Sequence, residues 1–178
     1  MAPYYTNKEK MQRVMWGIVR PLFFTLSPRL LYGWRNLILR IFGAKIGRSV
    51  KIFPSAKIMY PWLLTVGNDV VISWNVIVYN LGAITIGDNT IVSQYTHLCG
   101  GTHDFNVPEF TLQRTGLTIG KNVWIAADSF IGPGVVIGDN VVVGARSVVL
   151  KNVEAGMLVA GNPAMAIRKI SKPVRKTR

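Results

Sequence analysis

Cysteine, histidine and acid are all scarce in this sequence: one Cys, two His and eight Asp or Glu among 178 residues. A single cysteine, Cys99, excludes an intrachain disulfide framework and a zinc ribbon, and it suits a reducing compartment. Long apolar runs are missing as well. The best hydrophobic stretch, near the N-terminus, is cut by Arg13, Arg20, Arg29, Arg35 and Arg40, whereas a membrane span needs roughly 18 to 20 nearly uncharged residues. A signal peptide is not expected, because Glu9 and Lys10 precede only six uncharged residues, Val14 to Val19, and no small-residue cleavage site follows. This reading places the protein in the cytoplasm.

What is plentiful is apolar surface and positive charge. With 49% hydrophobic and 16% charged residues the chain can pack a core, and its 21 Lys and Arg give a formal net charge of +13. That charge is not spread evenly. Residues 1–45 carry eight basic residues and one acid, residues 166–178 carry six basic residues and no acid, and residues 46–165 hold seven of each sign. The body is neutral and the flanks are basic. A nucleic-acid reader would carry a basic stripe with interleaved aromatics across its folded body, so no nucleic-acid partner is expected.

The body repeats. Residues six apart from Ile119 are Ile119, Ile125, Ile131, Ile137, Val143 and Val149, all branched aliphatics, and the following residue is often Gly or Ala. The same hexad appears earlier as Ile46, Ile52, Ile58; Val66, Ile72, Val78; and Ile86, Val92, Leu98, in blocks that start 20 residues apart. A period of six is neither helical nor simple strand alternation. It suits short strands along the three sides of a prism, with one inward aliphatic per side and a small residue at each corner. Stacked coils of this kind form a parallel β-solenoid of about five coils.

The aliphatic ladder is core, so function is sought where the repeat breaks. It breaks between Leu98 and Ile119, in CGGTHDFNVPEFTLQRTGLT, with His97 and His103 at its threshold. A loop of about fifteen residues is uncommon in a compact domain unless it works or moves. The expected organisation is a basic amphipathic helical segment over 1–45, a solenoid over 46–165 with a loop at 104–118, and a basic tail over 166–178. A helix is expected over 28–42, with Ser27 as N-cap, Pro28 in the first turn and Gly43 at the stop. Leu30, Leu31, Trp34, Leu37, Ile38 and Ile41 fall on one arc and Arg29, Asn36 and Arg40 on the other. Such a helix caps the first coil, or lies in a membrane interface with help from Trp16, Phe23, Phe24 and Trp34. The C-terminal cations suit an anionic membrane or a polyphosphate cofactor.

The hexads, the loop and the ending VAGNPAMAIRKI together resemble the hexapeptide-repeat acyltransferases, over residues 46 to 170. Within them IGDNTIVSQYTHLCGGTHD and IGKNVWIAADSFIGPGVVIGDN are similar to the maltose, galactoside and nodulation-type sugar O-acetyltransferases. LYGWRNLILRIFGAKIG and YPWLLTVGNDVVISWNVIVYNLG are similar to the colanic-acid-biosynthesis type. The resemblance implies a left-handed parallel β-helix and a homotrimer with sites between columns. It also implies acetyl-CoA as donor, no metal, and a carbohydrate acceptor that is a polysaccharide precursor carried on a lipid. His103 matches the catalytic histidine, whose neutral imidazole removes the proton of the attacking hydroxyl. The backbone N–H of Ala127 matches the oxyanion donor. Trp124 matches the acyl tunnel wall, Ala145 and Leu150 the pantetheine contacts, and Lys151 with Arg168 the CoA phosphate contacts. Ser73, Asn75, Asn80 and Asp104 stand on the acceptor side. Met165 replaces an arginine that contacts CoA in relatives, Ser73 and Leu81 replace an acceptor-binding Asn and Asp, and Asp104 replaces a proline.

Other readings are a non-catalytic solenoid that organises a membrane-bound assembly, and an O-acetyltransferase of small xenobiotic alcohols. The γ-class carbonic anhydrases share the solenoid but need three histidine ligands. Cys99, beside Gly100, reads as packing rather than as an acyl-carrying nucleophile, and His97, one residue before an inward Leu98, points away from the core.

Overall fold

The computed structural model describes residues 5–170; Lys172, Arg175, Lys176 and Arg178 of the expected basic tail lie outside them. Each hexad folds as a strand of two or three residues followed by a turn, and the strands stack into three parallel sheets. The first face runs through Lys45–Ile46, Leu64–Val66, Ile84–Ile86, Leu117–Ile119 and Val136–Ile137. The second contains Lys51–Ile52, Val71–Ile72, Ile91–Val92, Trp124–Ile125 and Val142–Val143, then Met157–Gly161 with the antiparallel Ala164–Lys169. The third contains Lys57–Ile58, Ile77–Tyr79, His97–Cys99, Phe130–Ile131 and Val148–Val149. Five coils are complete, and a bridge from Ile137 to Val153 together with Met157–Gly161 begins a sixth.

The register is the hexad itself. Ile46 pairs with Val66, Val66 with Ile86, Ile86 with Ile119 and Ile119 with Ile137, so one aliphatic per side stacks on its counterpart in the next coil. Each of these side chains is buried, which fixes the register because a one-residue slip would turn every aliphatic outward. The corners need backbone that bends sharply. Ser49, Asp69, Asn89, Asn122 and Asn140 occupy one edge with φ between 55° and 58°, and Asn75, Tyr95, Asp128 and Arg146 occupy another with φ between 54° and 62°. Asn and Asp tolerate this left-handed region better than other non-glycine residues. Beside the first of these columns the coils approach so closely that a Cβ on Gly87 would lie 2.6 Å from the carbonyl carbon of Gly120.

Along the strands each coil donates its N–H groups to the carbonyls of the coil that follows, as in Lys51 N to Val70 O and Phe53 N to Ile72 O, while at the corners the bond runs back, as in Asp69 N to Arg48 O. The first coil therefore presents strand carbonyls that no earlier coil can engage. Side chains of the N-terminal segment engage them. Helix α1 (Asn7–Val19) begins in a capping box between Thr6 and Glu9 and passes at Pro21 into a π-helical turn, Arg20–Thr25. Helix α2 spans Tyr32–Ile41. Arg35 Nε donates to Ile52 O at 2.7 Å, Asn36 Nδ2 to Val50 O at 2.8 Å, Arg40 to Ile46 O and Gly47 O, and Trp16 Nε1 to Ile58 O at 2.9 Å. Trp16 also packs edge-on against Phe24 and tilted against Phe42.

Two expectations for this segment are corrected. The second helix starts at Tyr32 rather than 28, with no side-chain cap, because the Ser27 hydroxyl donates to Phe24 O and accepts from Arg35 Nη1 instead. More importantly, the helix is rotated from the expected orientation. Arg35 and Asn36 are buried against the column together with Ile38 and Leu39, while Trp34, Leu37 and Ile41 face outward. The first coil needs donors for its carbonyls as well as apolar cover. Trp16 and Phe24 are buried, so of the four aromatics only Phe23 and Trp34 lie on the outward side. Among the described residues no helix is long and apolar enough to cross a membrane.

Candidate active site

The break in the repeat is a β-hairpin. Thr102–His103 pairs antiparallel with Leu112–Gln113 after the chain has left the third face at Cys99, and Leu117 re-enters the first face. The hairpin thus springs from the edge between the third and first faces of the third coil. Arg114 anchors its base, donating from Nε to Leu81 O at 2.7 Å and from Nη2 to Glu9 Oε1 at 2.8 Å.

His103 is exposed on this hairpin, with Nδ1 2.7 Å from Phe110 O and its ring stacked on the Phe110 ring at 4.6 Å and 12°. A carbonyl can only accept, so Nδ1 carries a proton, and in the neutral imidazole Nε2 is the nitrogen with the lone pair. Phe110 holds the imidazole at both its nitrogen and its face. Its own φ is 46°, a strained value for a bulky residue, of a kind that clusters at functional sites. Asp104 does not touch the ring. Its Oδ1 accepts from Asn106 N and its Oδ2 from Gln113 Nε2, which shapes the tip.

The other expected residues lie elsewhere. Ser73 and Asn75 in the second coil, Ala127 in the fourth and Ala145 in the fifth line the edge between the second and third faces, and Trp124 lies on the second face of the fourth coil. Trp124 is 43% exposed and donates from Nε1 to Ser93 Oγ at 3.1 Å. The Ala127 carbonyl accepts from Arg146 N, while no hydrogen bond among the described residues engages the Ala127 N–H. Leu150 and Lys151 are exposed where the chain leaves the third face of the fifth coil, and Arg168 is exposed on the C-terminal hairpin. Within one chain, then, His103 and Ala127 stand on different edges of the prism.

Asn80, expected on the acceptor side, is corrected to a core residue. It is fully buried, with Oδ1 accepting from Tyr60 N at 2.9 Å and Nδ2 donating to Tyr60 O, so its amide joins coils rather than meeting a ligand. His97 is packed edge-on between Tyr79 and Phe130 at 6.0 and 5.4 Å. Burial pushes its imidazole below the ordinary value. Sequence reading missed Phe110 and Arg114, which carry no chemistry of their own and are marked only by lying in the excursion.

A family model, bacterial transferase hexapeptide (six repeats), matches residues 116–151. The protein named colanic acid biosynthesis acetyltransferase WcaF, from Escherichia coli (strain K12), is 48% identical over 163 residues, which is 92% of this chain and 88% of that one. A structure of galactoside acetyltransferase in complex with coenzyme A superposes with a TM-score of 0.84 at 26% identity, covering 93% of this chain and 84% of that one. A maltose O-acetyltransferase from Clostridium difficile 630 gives a TM-score of 0.81 at 27% identity, covering 94% and 90%. The expected parallel β-solenoid with its N-terminal helices superposes on these relatives over most of the chain. The chain belongs to the hexapeptide-repeat acetyltransferases. It is an enzyme of the acyltransferase class.

Proposed function

We propose that the protein transfers acetyl from acetyl-CoA to a hydroxyl of a carbohydrate, a polysaccharide precursor carried on a lipid at the cytoplasmic membrane face, in sites shared between the subunits of a homotrimer. The observation that carries this reading is the bond from His103 Nδ1 to Phe110 O at 2.7 Å, which leaves Nε2 as a free base on an exposed arm. The names of two relatives support the acceptor class, colanic acid biosynthesis for one and galactoside for another. The coenzyme A held by the galactoside acetyltransferase supports the donor.

Acetyl-CoA supplies, when bound, an acetyl group activated as a thioester. The chain offers residues that fit it: an exposed Trp124 wall, an unengaged N–H at Ala127, backbone at Ala145 and Leu150, and the exposed cations Lys151 and Arg168 for phosphates. His103 Nε2 takes the acceptor's hydroxyl proton, a role worth about 100- to 10,000-fold in rate. The Ala127 N–H donates to the oxygen on which negative charge builds. Ser73, Asn75 and Asp104 contact the acceptor.

The separation of His103 from Ala127 supports the shared site. Corners of the prism lie about six residues apart, up to roughly 20 Å of extended chain, so the hairpin of one subunit would reach the second-to-third edge of its neighbour. In the test, His103→Ala lowers acetyl-CoA turnover with carbohydrate acceptor by about 100- to 10,000-fold and leaves donor binding intact. Unchanged turnover would sink the catalytic role. Mixed oligomers of His103→Ala with Ala145→Trp, each inactive alone, should recover about a quarter of the sites if they are shared between subunits, and none if they are not.

A further inference from the structure

The N-terminal cap turns an apolar face to solvent. Met15, Ile18 and Leu22 project from α1 and the π-helical turn, Leu26 and Leu30 from the link, and Leu37 with Ile41 from α2, each between 48% and 80% exposed. The elements that carry it are tied together, since Trp34 Nε1 of α2 donates to Phe23 O of the π-helical turn at 2.8 Å. The face is also fixed in direction: Trp16, Arg35, Asn36 and Arg40 bond the first-coil carbonyls, so the opposite sides of both helices point away from the column. Apolar patches this large on a water-soluble surface mark interaction sites.

Charge decides what binds there. Residues 5–45 hold eight Lys and Arg and one acid, Glu9, whose carboxylate is held by Arg114. Lys10, Arg13 and Arg20 line a groove of about 490 Å³ between α1 and the first coil at Met59 and Tyr60, where the Arg13 guanidinium lies over the Tyr5 and Tyr60 rings, so they add to the positive field of the cap rather than to its outward face. A second copy would bring an identical positive cap and be repelled. An anionic leaflet meets both features, its acyl boundary taking the leucines and its headgroup phosphates the cations. The helices, of 13 and 10 residues, suit lying in the interface rather than crossing it.

We propose that the outward face of α1, the π-helical turn and α2 docks the protein flat onto an anionic bilayer, with its apolar side chains inserted and the net positive charge of the cap drawn to the headgroup phosphates. The proposal concerns the cap alone and stands whichever hydroxyl is acetylated, since vesicle binding and acetyl transfer are read separately.

Flotation of the full chain with phosphatidylglycerol–phosphatidylcholine vesicles, and with phosphatidylcholine alone, tests it. The protein is expected to float with the anionic vesicles only, and to lose about tenfold or more of that binding between low and high salt. Ile18→Glu with Leu22→Glu should release it while the thermal midpoint and acetyl-CoA binding stay unchanged. Leu26→Ser with Leu30→Ser, in the link outside both helices, should do the same if the first pair disturbs folding. Wild-type protein that stays with the lipid-free fraction overturns the proposal. So does lipid-free self-association that the same substitutions abolish, which would make the face a contact between copies.

Discussion

Arg114 Nη2 donates to Glu9 Oε1 at 2.8 Å across 105 residues of sequence, tying the first turn of α1 to the base of the His103 hairpin. The same guanidinium holds Leu81 O and lies over the Tyr5 ring. The Thr6 backbone N–H first, and then Arg114, keep the Glu9 carboxyl below its ordinary value of 4.5. A lowered carboxyl contributes stability above its unfolded value and loses it as pH falls through the folded value. Urea unfolding of the wild type should therefore weaken faster between pH 5 and 3 than that of Glu9→Gln. At pH 7 the substitution should cost about 1 kcal/mol, since the pair is only partly buried.

Phe110 holds the imidazole through its backbone carbonyl and its stacked ring. Phe110→Ala keeps the carbonyl but removes the stacked ring and the bulk that holds the tip. Turnover should drop by about 10- to 100-fold with little change in KM for acetyl-CoA, the pattern of a misplaced base. Phe110→Tyr, which preserves the stack, should restore most of the rate. Equal losses for Ala and Tyr would mean that the ring does not set the geometry.

The solenoid was legible because its constraint is local and repeated. One aliphatic every six residues, with Gly or Ala next to it, allows few other folds, and the excursion after Leu98 stood out against that rhythm. His103 could be singled out by the same contrast. The cap was not legible in the same way. An amphipathic pattern says which sides differ, and the usual inference buries the apolar one, but here the neighbour also presents strand carbonyls that select Arg35, Asn36 and Arg40. Asn80 misled for a related reason, since a polar residue in a strand-edge position reads as a ligand contact until its amide is seen bonded to Tyr60.

His97 gives the column a pH dependence distinct from that of Glu9. Its ring is packed between Tyr79 and Phe130, and its Nε2 is buried with no hydrogen-bond partner among the described residues. Burial disfavours the charged form and lowers the pKa from 6.5. The unfolded chain takes up the proton first as pH falls, so this stability is full above 6.5 and is lost as pH drops through the folded value. Thermal midpoints should fall between pH 7 and 5 in the wild type and fall less in His97→Phe, which keeps the ring and removes the titration. Parallel curves for the two proteins would rule His97 out as the source.

Arg35 is fully buried, and among the described residues no carboxylate pairs with it. Carbonyls and a hydroxyl hold it instead: Nε on Ile52 O, Nη1 on Ser27 Oγ and Pro28 O, Nη2 on Arg29 O at 2.5 Å, with Tyr32 5.1 Å from the guanidinium carbon. Burial lowers its pKa, with the neighbouring Tyr32 acting in the opposite direction. The guanidinium stays charged because its pKa lies so far above neutrality. A lysine has the charge but a single donor head, which cannot span the first coil, the link and the turn together. Arg35→Met should destabilise by about 2–4 kcal/mol, because it leaves buried carbonyls without donors. Arg35→Lys should recover less than half of that. If the cap is held mainly by apolar packing, Met would instead equal or exceed the wild type, a result that equilibrium urea unfolding distinguishes directly.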